Sequence, residues 1–170
     1  MEITFVKIEK ADYNDFCTDV CKIFSIAVVE TFGKPEDDKE IIEKDEILGI
    51  ISDLECETYA IYANGVKVGG ISIKADAAAQ PNSAELFYIY PEHHSKGVGL
   101  QIWQAVEKLY PDTKVWRLIT PYFEKRNIHF YVNKCGFKIV EFFNKAHVDP
   151  ARSLTGENSQ DEYFVFEKVM

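Results

Sequence analysis

The residues with the clearest chemical potential lie between Ile89 and Leu100, in the segment IYPEHHSKGVGL. A β-like run ends there at Pro91, and two glycines precede apolar residues at helical spacing. The first N–H groups of a helix have no partner within the helix, and the helix dipole adds partial positive charge to them. Glycine lets the backbone approach an anion closely. The turn is therefore predicted to surround a pyrophosphate with Ser95, Lys96, Gly97, Val98 and Gly99, Lys96 adding a charge from the solvent side.

A plain strand-to-helix turn is the alternative interpretation of this segment, because one Gly-x-Gly pair is a weak pattern. The segment is neither a Walker loop nor a dinucleotide fingerprint. No Gly-Lys-Ser/Thr sequence follows, and the third glycine of the fingerprint is missing. From these residues alone, both anion binding and a plain turn stay open.

Apolar periodicity defines the elements that must position this turn. The predicted strands cover residues 3–8, 58–62, 66–73, 84–90, 114–120, 137–143 and 163–169, and the predicted helices cover residues 12–33, 37–54, 97–110 and 127–134. Asn64-Gly65 indicates a two-residue hairpin. The order predicts an α/β fold with a mixed, largely antiparallel twisted sheet of about seven strands and helices on both faces. We expect a single domain over residues 1–170, with a long connection from Lys145 to Asp161.

The composition narrows the classes of partner and location. Of the 170 residues, 46% are hydrophobic, and 28 acidic against 19 basic residues give a formal charge of −9. This charge disfavours nucleic acid and anionic membranes as partners and is compatible with cationic substrates. No apolar run approaches the roughly 20 residues of a membrane span, and the first ten residues lack the apolar stretch of a signal peptide. The four cysteines are too scattered for a disulfide scaffold, so we expect reduced thiols in a cytoplasmic protein.

Two motifs resemble those of the GNAT superfamily of acetyl-coenzyme A-dependent N-acyltransferases. The family's signature turn is Gln/Arg-x-x-Gly-x-Gly/Ala after a strand ending in Val-x-Pro, and here Ile89-Tyr90-Pro91 is followed by HSKGVG from His94 to Gly99. A later family helix ends in Phe-Tyr-x-x-x-Gly-Phe, which matches Phe130 to Phe137. The resemblance is tight over about residues 57–143. It implies the family's fold, acetyl-CoA as the acyl donor and pyrophosphate binding by the turn.

The resemblance also implies roles for neighbouring residues. The strand around Phe87 to Ile89 is expected to splay from the strand at 114–120, so that the pantetheine arm enters and a backbone N–H near Ile89 faces the thioester oxygen. His94 stands where the family usually has Gln or Arg, a departure that changes how the turn is braced. Glu124 replaces an asparagine common in the family, so Asn127 is expected to contact the pantetheine arm instead.

Tyr131 is the predicted proton donor to the departing thiolate, because a phenol is neutral at pH 7 and suits that role. The alternative is an aromatic side chain that only packs beside Phe130. Glu85 is the candidate base for the amine, since period-two counting places it on the strand face of Phe87 and Ile89. Apolar surroundings there would strengthen a carboxylate as a base. An exposed strand charge, with ordered water as the base, is the alternative.

The sequence predicts no metal site, because the adjacent His93 and His94 rarely both ligate one ion and no third ligand completes a set. The leading functional hypothesis is direct transfer of the acetyl group to a primary amine in a ternary complex. The alternative is a module that binds acyl-CoA without turnover. The acceptor is a small-molecule or peptide amine, with its pocket expected from residues 12–54 and 145–161. A homodimer is compatible with the sequence if Tyr163 to Val169 forms an edge strand.

Overall fold

The computed structural model describes residues 1–35, 41–76, 78–150 and 162–170. The chain divides into two compact units, Met1–Thr113 and Lys114–Met170. Within the described residues, seven strands and four α-helices follow one another in the predicted order. The α/β class and the strand number expected from the sequence are therefore confirmed.

Among its described residues, the first unit contains four strands and three α-helices. The strands are β1 (Ile3–Lys7), β2 (Cys56–Ala63), β3 (Val66–Lys74) and β4 (Asn82–Ile89), and the helices are α1 (Tyr13–Phe32), α2 (Lys44–Ser52) and α3 (Val98–Leu109). The strands pair antiparallel in the order β1-β2-β3-β4. Asn64 and Gly65 both adopt positive φ between β2 and β3, which confirms the predicted hairpin turn.

Helices cover both faces of this four-stranded sheet. Leu86 and Tyr88 of β4 belong to a buried cluster with residues of α1 and α2, among them Phe16 and Ile47. Phe87 lies between them in the strand and packs against Trp103 of α3 at a ring-centroid distance of 6.3 Å. Successive strand residues point to opposite faces, so α1 and α2 cover one face and α3 covers the other.

The second predicted helix is shorter than its apolar pattern indicates. Its pattern begins at residue 37, whereas α2 begins at Lys44; Asp37 and Asp38 lie outside the described residues. Ile42 packs against the buried cluster although it precedes the helix. Apolar spacing marked Ile47 and Ile51 correctly as buried, whereas Leu48 and Leu54, expected on the same apolar side, are exposed. The spacing also did not distinguish a helical turn from the irregular chain that leads into the helix.

In the part of the second unit that the structure describes, there are three strands and one α-helix. The strands are β5 (Val115–Pro121), β6 (Lys138–Phe143) and β7 (Tyr163–Val169). Helix α4 (Lys125–His129) continues into a π-helical turn over Phe130–Cys135. The strand order is β5-β7-β6, and both pairs are antiparallel.

The prediction that Tyr163 to Val169 forms an edge strand is wrong. Strand β7 has β5 on one side and β6 on the other, so its backbone groups are used on both edges. It is not available to pair with a second copy of the chain, and the homodimer stays a prediction without that strand to support it. Over the described residues, no helix has both the length and the apolar character needed to cross a membrane.

Candidate active site

The predicted phosphate-binding turn connects β4 to α3 in the first unit. After Tyr90 the chain makes one 3₁₀ turn over Pro91–His93, closed by the His93 N–H donating to the Tyr90 carbonyl at 2.9 Å. Ser95 and Gly97 then both adopt left-handed backbone conformations, with φ of 62° and 73°. Gly97 is the N-cap of α3, and its carbonyl accepts the Gln101 N–H at 3.3 Å. Two left-handed residues so close together bend the chain sharply into the first turn of the helix.

The conformation of this turn suits an anion. Ser95, Lys96 and Gly97 are exposed, and a Cβ atom built on Gly97 would meet nothing within 4 Å. The N–H groups of Val98 and Gly99 belong to the first turn of a twelve-residue helix, where no earlier carbonyl of that helix can accept them. The N–H groups at helix N-termini bind phosphate groups in other proteins. The turn is thus open to solvent and lies at a helix N-terminus, two features that favour anion binding.

Two side chains brace the turn from within. The His94 ring lies 2.7 Å from the Ile89 carbonyl through Nε2. A carbonyl only accepts hydrogen bonds, so this nitrogen carries the proton and donates it. The Lys96 ammonium donates to the Glu92 carbonyl at 2.9 Å. His94, the departure from the Gln or Arg of the family pattern, therefore still acts as a hydrogen-bond donor across the turn.

The backbone of β4 near the turn places the Ile89 N–H on the edge away from β3. The Tyr90 N–H donates to the Val68 carbonyl of β3 at 2.9 Å. N–H groups alternate between the two edges of a strand, so the Ile89 N–H points away from β3. The hydrogen bond from His94 uses the Ile89 carbonyl on this same edge. This orientation is what a donor to an external oxygen near Ile89 requires.

Tyr131 lies in the π-helical turn of the second unit. It is buried against the rings of Phe130, Phe137 and Phe166, with centroid distances of 5.1, 5.7 and 5.8 Å. Burial, with smaller effects of Cys135 and Glu124, raises the pKa of the Tyr131 phenol above its usual value. The phenol is therefore protonated throughout the neutral range. π-Helical turns are rare and frequently occur at functional sites.

Asn127 lies one helical turn before Tyr131, in α4 of the same unit, and is half-buried. The chain predicted as one α-helix over residues 127–134 becomes π-helical from Phe130. It ends as predicted at Gly136, which adopts the left-handed conformation of a helix C-cap. The wider turn changes which residues share a face with Tyr131, something that apolar spacing does not reveal.

Glu85 does not have the apolar surroundings that the sequence predicted. The register between β3 and β4 shifts there, because Ile73 pairs with Ala84 while Ser72 pairs with Leu86. Glu85 is the extra residue of this β-bulge, its side chain is exposed, and its carboxylate accepts a hydrogen bond from the Ser83 hydroxyl. Period-two counting fails across a bulge, so the argument for a base strengthened by burial is lost.

The remaining observations concern two tryptophans, the metal ligands and Ser95. Trp103 and Trp116 are both fully buried. Within the described ranges, no three His, Cys, Asp or Glu side chains gather as a metal-binding group. Sequence reasoning missed the left-handed Ser95, because serine is not a residue type that favours this conformation.

Comparison with known proteins identifies the family. Residues 13–137 match the sequence model of the acetyltransferase (GNAT) family, which is more than half of the chain. This chain belongs to the GNAT family. The GNAT protein is therefore an acyltransferase, an N-acetyltransferase by family, and the predicted family and enzyme class are confirmed.

The chain is also similar to a sequence relative and to solved structures. The GNAT protein is 41% identical over 173 residues to the uncharacterized protein YrkN of Bacillus subtilis, covering 95% of this chain and 90% of that one. Its fold is similar to the PaiA N-acetyltransferase of Thermoplasma acidophilum in complex with coenzyme A, with a TM-score of 0.68, 18% identity and full coverage of both chains. It is also similar to the spermidine N-acetyltransferase of Vibrio cholerae in complex with CoA and spermine, with a TM-score of 0.65, 14% identity, and coverage of 98% and 95%.

Proposed function

We propose that this protein transfers the acetyl group of acetyl-CoA to a primary amine by direct attack in a ternary complex. The observation that carries the proposal is the open turn after β4, with its left-handed Gly97 at the start of α3. Backbone N–H groups of residues 95–99 bind the pyrophosphate, and Lys96 adds positive charge from the solvent side. Phe87, Ile89 and Asn127 contact the pantetheine arm, and His94 holds the turn against Ile89.

The chemistry requires a donor to the developing oxyanion, a base for the amine and an acid for the leaving thiolate. We assign the first role to the Ile89 N–H, which points away from β3. When bound, acetyl-CoA supplies an activated carbonyl carbon. The amine nitrogen bonds to that carbon, the carbon–sulfur bond breaks, and Tyr131 gives its proton to the sulfur. Solvent then returns a proton to the Tyr131 phenolate.

The base that takes the proton from the amine is Glu85 or ordered water. Glu85 is exposed in the bulge and is not strengthened as a base by burial, so its position favours water as the base. Replacing Glu85 by Gln distinguishes the two. Loss of turnover at saturating amine assigns the role to Glu85, whereas unchanged turnover assigns it to water.

The amine acceptor that we propose is cationic. The formal charge of −9 attracts ammonium groups, and one structural neighbour is a spermidine N-acetyltransferase in complex with spermine. Much of the Lys145–Asp161 connection, expected to contribute to the acceptor pocket, lies outside the described residues. The substrate panel should therefore contain polyamines, amino acids, peptides with a free N-terminus, and aminoglycosides.

The test measures CoA release from acetyl-CoA with each amine of the panel, for wild type and for Tyr131→Phe. We expect at least one amine to stimulate release. The variant should lower kcat about a hundredfold or more, the usual effect of general acid catalysis, while the dissociation constant of CoA stays unchanged. Tight binding of acetyl-CoA, with no amine that stimulates CoA release, would favour the alternative, a module that binds acyl-CoA without turnover. Equal losses of turnover and affinity would contradict the role of Tyr131.

A further inference from the structure

Four polar side chains converge on the side of β4 that faces α1. The Asp19 carboxylate of α1 accepts hydrogen bonds through Oδ2 from the Tyr90 hydroxyl at 2.5 Å, the Lys67 ammonium at 3.0 Å and the Tyr88 hydroxyl at 3.3 Å. The Asp19 side chain is 24% exposed and that of Lys67 34% exposed. These hydrogen bonds form in a partly dehydrated position, where they are stronger than on an open surface.

Tyr90 is held from two directions by this cluster. Its N–H donates to the Val68 carbonyl, while its hydroxyl donates to Asp19. The Lys67 ammonium also lies 5.8 Å from the centroid of the Tyr90 ring. Burial and the hydrogen bond to Asp19 raise the pKa of Tyr90, so the hydroxyl keeps its proton and stays a donor.

Tyr90 is the residue from which the turn starts. Its carbonyl accepts the His93 N–H at 2.9 Å, and the following Pro91 carbonyl accepts the His94 N–H at 3.1 Å. The His94 ring then reaches back to Ile89, the residue before Tyr90. A displacement of Tyr90 would therefore shift both ends of the braced turn.

We infer that Asp19 is a positioning residue for the acyl donor: through the Tyr90 hydroxyl, its carboxylate holds the start of the pyrophosphate turn in its binding conformation. This inference rests on the proposed function, because it assigns the turn to CoA. A preformed turn binds more tightly because it does not have to be ordered when the ligand arrives. Asp19 itself acts at a distance and does not touch the acyl donor.

The test uses Asp19→Asn, Tyr90→Phe and the double variant, with Tyr110→Phe as the matched control. Tyr110 also donates from a partly buried hydroxyl to a carboxylate, Glu57 at 2.7 Å, but it follows the other end of α3. Titration calorimetry gives the CoA dissociation constant, and hydrogen exchange gives the protection of the His93 and His94 amides in the free protein. Steady-state assays give KM for acetyl-CoA and for the amine.

We expect each single variant to raise the CoA dissociation constant and the KM for acetyl-CoA about tenfold, the effect of losing a hydrogen bond to a charged group. The double variant should bind CoA no more weakly than either single variant. The kcat and the KM for the amine should not change. The His93 and His94 amides should exchange faster in all three variants and not in Tyr110→Phe. Tyr90→Phe keeps its ring in the cluster, so it decides the outcome if Asp19→Asn does not fold.

The inference would be overturned if the Asp19 and Tyr90 variants lost no more CoA affinity than Tyr110→Phe. It would also be overturned if the His93 and His94 amides exchanged at the wild-type rate in these variants. Independent, multiplying effects in the double variant would also overturn it, because a tether links the two residues. If the wild-type protein binds no CoA, the proposed function fails. The amide exchange then still decides whether Asp19 holds the turn.

Discussion

Gly97 illustrates how a single residue controls this site. Its φ of 73° lies in the left-handed region, which most side chains disfavour by about 1–2 kcal/mol. The space around its α-carbon is open, so a substitution there would act through backbone conformation and charge rather than through a steric clash. Charge and conformation are therefore separable by experiment at this position.

Gly97→Asp and Gly97→Asn form a matched pair, since both side chains tolerate the left-handed conformation and have nearly the same size. We expect Gly97→Asp to raise the CoA dissociation constant at least tenfold over Gly97→Asn, because a carboxylate repels the pyrophosphate. Titration calorimetry with CoA measures both. Equal affinities for the two variants would count against binding of the pyrophosphate at this turn.

His94 tests whether the brace needs a histidine or only a donor. A glutamine amide also carries N–H groups that reach a carbonyl, whereas alanine removes the donor. We expect His94→Gln to keep CoA affinity within about twofold and His94→Ala to lose about fivefold, the value of one ordinary hydrogen bond. The same calorimetric titration measures both changes. A His94→Gln variant as weak as His94→Ala would show that the ring itself is required.

Strand β3 shows how an element sets the position of its neighbours. A Cβ atom on Gly69 would lie 2.1 Å from the Tyr88 carbonyl oxygen, and one on Gly70 would lie 2.6 Å from the Phe16 ring. The two glycines therefore let β4 and α1 approach β3 closely. Phe16 and Tyr88 meet edge to face over this gap, with ring centroids 5.4 Å apart. The spacing of α1 and β4, and with it the reach from Asp19 to Tyr90, depends on the glycine pair.

Gly70→Ala should destabilise the protein by about 1–3 kcal/mol, because the added methyl group forces the Phe16 and Tyr88 rings apart. Gly49→Ala is the control, since a Cβ atom there meets nothing within 4 Å. That helical position should gain stability by about 1 kcal/mol or less. Urea unfolding monitored by circular dichroism measures both changes. A Gly70→Ala variant as stable as wild type would show that the rings move aside without cost.

Charged groups also connect distant parts of the first unit. The Glu57 carboxylate of β2 accepts hydrogen bonds from Tyr110, which follows α3, and from Lys7 of β1 at 3.1 Å. The hydrogen bond from Tyr110, together with that from Lys7, lowers the pKa of Glu57 against the opposing effect of burial. A carboxyl group with a lowered folded-state pKa stabilises the fold at pH values above its unfolded-state pKa. That stabilisation is lost as the pH falls through the folded-state pKa.

Glu57→Gln should therefore be less stable than wild type at pH 7, and the difference should shrink as the pH falls below about 4.3, the usual value of a glutamic acid. Urea unfolding at a series of pH values measures the difference. Glu30→Gln, at an exposed position of α1, is the control and should show a smaller difference. A Glu57→Gln difference that stays constant from pH 7 to pH 3 would contradict the lowered pKa.

The sequence by itself determined the features that depend on neighbours along the chain. The glycine turn after β4, the Asn64-Gly65 hairpin, the Gly136 cap and the strand and helix order all follow from local conformational preference and apolar period. The family resemblance added a role for Tyr131. Each of these features depends on residues that are close together along the chain.

Tertiary structure decided the features that depend on residues distant in sequence. The bulge at Glu85 arises from pairing with β3, and the place of β7 between β5 and β6 arises from competition among strands. Asp19 meets Tyr90 only because α1 crosses β4. The left-handed Ser95 and the π-helical turn at Tyr131 likewise have no local pattern that favours them. The physical reason is that packing and hydrogen-bond pairing between segments outweigh the weak preferences of single residues.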